Sequence, residues 1–182
     1  MAFACLLSMS FQISNIPIIE ANDSDYESVI RTRQVGIKMS STNVDRNREL
    51  ALLANEEIWN RGNFDNLEEM FADNFVEHFL PFGTQTVGLE KFRKNTVAHR
   101  AAFPDWTEAV NMVIAEGDYV ALQFTSTGTN TGRFLDNPPT GKKVHINEMT
   151  IFRIVEGKIV ELWLLPDIFS LNQQLGLITS DR

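Results

Sequence analysis

The chain has 182 residues, a net charge of −8, one cysteine and three histidines. The acidic balance argues against nucleic acid or an anionic membrane surface as partner, and Cys5 alone excludes an internal disulfide or a site built on several thiolates. His78, His99 and His145 show neither H-x-x-H nor H-x-x-x-H spacing, so a zinc enzyme is not expected, and there is no P-loop, G-x-G-x-x-G or G-x-S-x-G. No stretch is long and apolar enough to span a bilayer. The first basic side chain is Arg31, so the start lacks the basic region of a signal peptide. A cytoplasmic protein is expected.

Residues 1–42 mix a short apolar piece, Ile16 to Ile19, with an acidic patch and keep no period. They read as a poorly ordered leader. Met39 stands as a plausible second start, which would make the first 38 residues dispensable. The domain is expected over residues 43–182, long enough to bury a core without staples.

In that domain Leu50, Leu53, Ala54 and Ile58 recur at helical spacing, with Thr42 or Asn43 to cap the start and Gly62 the end. A short second helix has Asp65 as its N-cap and Leu67, Met70 and Phe71 as its stripe. Residues 75–79 read as a short strand stopped by Pro81 and Gly83. Residues 88–103 form a third helix ended by Pro104, with His99 and Arg100 on or beside its buried face.

From Trp106 the period changes from 3.6 to 2. Strands are expected over residues 107–116 and 119–129. A long loop, residues 130–142, follows and could serve as a lid. Residues 144–155 and 158–165 read as a hairpin about Glu156-Gly157, and a short helix at residues 171–175 is capped by Gly176. Pro166 ends the last strand, because it has no N–H to donate, and delivers Asp167 to its end. Asp167 is either a turn residue or helix cap, or an acid set for proton exchange in an apolar pocket. Asn147 and Glu148 lie on opposite faces of their strand, so one of them faces inward and the sequence does not say which. Three helices followed by an antiparallel meander give an α+β domain, whose sheet can curl into a cone around one apolar pocket.

An ordered set of pieces carries a family likeness: 75-FVEH-78, 100-RAAFPDW-106, 116-EGD-118, 127-TGTNTG-132, 138-PPTGK-142, 151-IFR-153, 157-GKIVE-161 with Trp163, Asp167, and 174-QLG-176. In this order and spacing the chain resembles the SnoaL-like polyketide cyclases, or ester cyclases, of the nuclear-transport-factor-two-like superfamily. The likeness covers residues 46–178. It implies the cone fold strongly and the reaction weakly. By that resemblance the reaction is an intramolecular aldol closure without metal or cofactor, Asp167 matches the acid/base position, and His78 falls where ketosteroid isomerases place their base. Two positions depart: Asn130 and Leu162 stand where many relatives have His.

The expected catalytic residues are therefore Asp167 and His78, and the expected substrate-binding residues are Trp163, Arg100, Phe103, Asn147 and Trp106. The expected partners are a small hydrophobic ligand and a second copy of the chain. The same cone could also hold a ligand or serve as a dimer scaffold without turnover.

Overall fold

The computed structural model describes residues 42–178. The leader expected over residues 1–42 falls outside them, apart from Thr42. The first helix, α1 (Asn43–Ala54), is capped by Thr42, whose hydroxyl accepts from Asp45 N at 3.2 Å. It buries Asn47, Ala51 and Ala54, then widens into a π-helical turn, Asn55–Asn60. A single turn, α2 (Leu67–Met70), precedes β1 (Phe71–Phe79), and a 3-10 turn over Leu80–Phe82 leads into β2 (Thr84–Val87). The chain continues through α3 (Leu89–Ala102), β3 (Thr107–Glu116), β4 (Tyr119–Thr129), β5 (Lys143–Val155), β6 (Lys158–Pro166) and α4 (Ile168–Leu175).

The strands form one curved, unclosed sheet in the order β2-β1-β6-β5-β4-β3. This is the α+β cone expected, with two corrections. The sheet has six strands where the sequence reads five, because β2 follows the Pro81–Gly83 stop and pairs back on β1, Val76 opposite Val87 and Phe79 opposite Thr84. In addition β1 starts at Phe71, which the sequence assigns to a helix. A single turn of helix is marginal by itself, and pairing of Phe71 with Ile159 draws the residue into the sheet. β1 and β6 pair in parallel, and the other paired strands run antiparallel. At the β5–β6 turn Glu156 and Gly157 both have positive φ, 51° and 77°, as a two-residue hairpin turn requires.

Alternation gives the sheet a dry face and a wet one. On β5, Val144, Ile146, Glu148, Thr150, Phe152 and Ile154 are buried while the residues between them are less so. The dry face closes on the helices in two apolar clusters. One joins Ala51, Ile58, Leu67, Phe71, Phe75 and Phe92 to Val110, Phe124, Phe152 and Ile159. Its Phe71, Phe75 and Phe92 rings lie 4.9–5.4 Å apart. Full burial of each such ring contributes ~1.5–3 kcal/mol. The second cluster joins Ala102, Phe103 and Trp106 to Val144, Ile146, Leu171 and Leu175.

Candidate functional site: a polar seam between two cores

The two clusters are separated at one level of the sheet by polar residues on three adjacent strands. On β3, Glu108 stands between Trp106 of the second cluster and Val110 of the first. On β4, Ser126 follows Phe124 of the first cluster and precedes Gly128, against which Trp106 packs. On β5, Glu148 stands between Ile146 and Phe152. Ser126 is directly opposite both Glu108 and Ile146, and Glu148 is opposite Phe124. The side chains of Glu108, Ser126 and Glu148 are thus neighbours on the dry face. All three are buried.

Glu108 is clamped. Asn55 Nδ2 donates to its Oε2 at 2.5 Å and Trp106 Nε1 to its Oε1 at 3.1 Å. Asn60 holds its backbone, accepting from Glu108 N at 2.6 Å and donating to Glu108 O at 3.1 Å. The π-helical turn makes this possible. Residues five apart on an α-helix diverge by about 140°, whereas the wider turn brings Asn55 and Asn60 toward the same strand.

Glu148 is held differently. Its Oε1 is buried without a hydrogen-bond partner, and so is Ser126 Oγ. Ser126 is near enough to favour the charged carboxylate somewhat, but the two do not meet in hydrogen-bonding geometry. Burial dominates and pushes the Glu148 carboxyl up to about 7. Glu108 is raised as well, by burial and then by the negative charge of Glu148. Its bonds to Trp106 and Asn55 and the nearby Arg100 oppose this in part. The two carboxyls therefore release their protons as a linked pair.

The helix side of the seam is aromatic. His99 on α3 packs edge-on against Trp106, centroids 4.6 Å apart, and against Trp59 at 5.9 Å, and it stacks on Phe103 at 5.2 Å. Burial, then the adjacent Arg100, lower its pKa to about 4. Its Nε2 is buried without a partner. Arg100 donates to the Trp59 carbonyl. The loop after β4 covers this end: Phe134 packs on Phe103 at 5.2 Å. Asn130 fastens the loop, donating to Gly132 O and Ala102 O and accepting from Thr140 N and Oγ1.

Of the residues expected at a site, Arg100, Phe103 and Trp106 border the seam. Asn147 does not. It is exposed on the wet face, where its Oδ1 accepts from Thr125, so the inward member of that pair is Glu148. Strand alternation leaves room for only one of them inside. His78 and Trp163 lie together on the wet face, rings parallel within 4° and 4.9 Å apart, with Gln85 Nε2 3.1 Å from His78 Nδ1 and Glu161 4.0 Å from Nε2. Asp167 is exposed and caps α4, accepting from Ser170 N at 2.9 Å. Sequence reading passed over Glu108, Ser126, Asn55 and Asn60. The available signal was a carboxylate in phase with the buried positions of β3, Trp106, Glu108 and Val110.

Residues 49–175 match the SnoaL-like polyketide cyclase family. The chain belongs to that family. Solved structures agree with the fold. AclR of Streptomyces galilaeus, described as a putative hydroxylase, is 26% identical with a TM-score of 0.67, over 77% of this chain and 87% of that one. IdmH of Streptomyces antibioticus, described as a putative polyketide cyclase, is 28% identical with a TM-score of 0.60, over 69% and 96%. A SnoaL-like protein of Jannaschia sp. CCS1, 24% identical with a TM-score of 0.70 over 78% and 99%, shares the fold. No curated protein matches. No helix among the described residues is long and apolar enough to cross a membrane.

Proposed function

We propose that this protein is a cofactor-free acid–base enzyme, a cyclase or isomerase acting on an apolar carbonyl compound in the interior of the cone. The observation that carries this reading is the seam itself. Two carboxyls and a hydroxyl are buried between apolar clusters, where uncompensated polar groups cost stability. In a cyclisation, a seam carboxylate takes the proton from the carbon alpha to a carbonyl. The electron pair passes to that carbonyl oxygen as an enolate. The carbon then attacks a second carbonyl of the same molecule, and the proton returns to the new alkoxide oxygen. A carboxyl that titrates near neutrality suits both transfers. The Phe103, Trp106 and His99 rings pack together on the helix side of the seam and make its surroundings apolar.

The test is a panel of apolar ketones and polyketone methyl esters incubated with the protein in deuterium oxide. Deuterium entering the alpha position, or ring closure seen by mass spectrometry, at a rate well above that of heat-denatured protein is expected. Rates equal to that control across the panel would overturn the reading and favour a ligand-binding role for the same cone.

A further inference from the structure

The two seam carboxyls are not equivalent, and their difference assigns roles. Glu108 has both oxygens occupied by N–H donors and its backbone pinned by Asn60. Each of its oxygens is already held by a donor and so is fixed in place. Glu148 has a buried, unpartnered oxygen, and the neighbouring Ser126 hydroxyl is unpartnered too. These two free groups sit side by side, at the break between the two apolar clusters.

We infer that Glu148 is the residue that exchanges the proton with substrate, with Ser126 Oγ beside it as hydrogen-bond partner for a substrate oxygen, and that Glu108 is a positioning residue which supports the pair. This rests on the acid–base reading above and deepens it. Its reasoning is geometric: an acid that serves as base and then as acid needs an oxygen free to approach carbon and then oxygen, and only Glu148 offers one within the seam. Charge supports it. Burial holds Glu148 near neutrality, while Glu108, raised by burial and then by its negative neighbour, gives up its proton later. The other ionisable groups near the seam are Arg100 and His99 of α3. Arg100 favours the charged form of Glu108, and His99 is uncharged at neutral pH. Asp167, which follows Pro166 opposite Glu148, points to solvent.

The experiment reads protons before it reads turnover. Protein labelled with carbon-13 at the glutamate side-chain carboxyls is titrated by NMR from pH 4 to pH 10. One carboxyl with a midpoint near 7 is expected, and it is absent from the Glu148→Gln variant, in which the Glu108 midpoint also falls. The Glu148→Asp variant, which keeps a carboxyl but draws it back, is a second check and retains a midpoint above the usual range. On any compound the protein converts, Glu148→Gln lowers turnover by about 10²–10⁴-fold, with the fold kept. A wild-type titration with every carboxyl below about pH 6, or a wild-type profile that Glu148→Gln leaves unchanged, overturns the assignment whether or not a substrate is known. Normal titration with no turnover on any compound strikes the enzymatic reading instead.

Discussion

The Asp167 carboxylate accepts a hydrogen bond from the Ser170 backbone N–H at 2.9 Å, and with it closes the first turn of α4. Asn caps about as well as Asp. Asp167→Asn is therefore expected to change stability by less than about 0.5 kcal/mol and to leave turnover within about twofold. Asp167→Ala removes the cap and costs ~1 kcal/mol. Urea unfolding and a rate assay separate the outcomes. A loss of about 10²-fold or more in Asp167→Asn with unchanged stability would restore the acid/base role that the family likeness implies for Asp167.

Stability should depend on pH through the seam. The Glu148 carboxyl is raised from 4.5 to about 7 in the folded protein. The folded state then binds more protons than the unfolded chain between those values. The contribution is full below pH 4.5 and is lost as pH rises through 7, on the order of 3 kcal/mol in all. His99 works the other way: lowered from 6.5 to about 4, its contribution is full above pH 6.5 and lost as pH falls toward 4. Glu148→Gln removes the first effect, lowers the Glu108 midpoint with it, and leaves the His99 effect in place. Its melting temperature relative to wild type should climb between pH 5 and pH 8 by several degrees. A difference that stays flat across that range would show that Glu148 is an ordinary carboxyl.

We expect a homodimer formed through the wet face of the sheet. One cross-strand row there runs Ile114, Ala121, Ile151, Trp163, His78. Met149, Leu165 and Tyr119 extend it as exposed apolar side chains. A patch of this kind calls for a partner. Light scattering after size exclusion is expected to give twice the chain mass, and Ile151→Glu, which places a carboxylate in the middle of the row, to give a monomer with its fold intact. A clean monomer for the wild-type chain at micromolar concentration would remove the proposal.

Asn130 is expected to matter to the loop rather than to chemistry. It is buried with four hydrogen bonds to the loop and to α3. Asn130→Ala strands several of those partners, at ~1–3 kcal/mol for each buried group left unsatisfied. Gly132→Ala should be as damaging, since a Cβ there would lie 2.0 Å from Ala101 O. Hydrogen exchange should show the loss of protection confined to residues 130–142 and the end of α3. Loss spread evenly over the whole sheet would mean that the loop is part of the global core.

Much of the fold was legible in order along the chain. Periodicity separates α1 and α3 from the strands that follow, and Glu156-Gly157 and Gly176 mark turn and cap, because these signals are local and each residue carries its own. The family likeness was legible for the same reason. Asp167 was legible as a cap or an acid; the fold shows the cap, and the Asp167→Asn substitution tests the acid. What the sequence could not decide is which way the sheet curls. That choice turns Glu148 inward and Asn147 outward, and it sets His78 and Trp163 on the far side of the sheet from Glu108. Nor could it show that a widened turn after α1 brings Asn55 and Asn60 onto a strand some fifty residues away, 53 from Asn55 to Glu108. A carboxyl's acidity depends on the solvent it loses and the charges it meets. Those come from β3, β4, β5 and α3 together, so the pairing of Glu108 with Glu148 exists only in the folded chain.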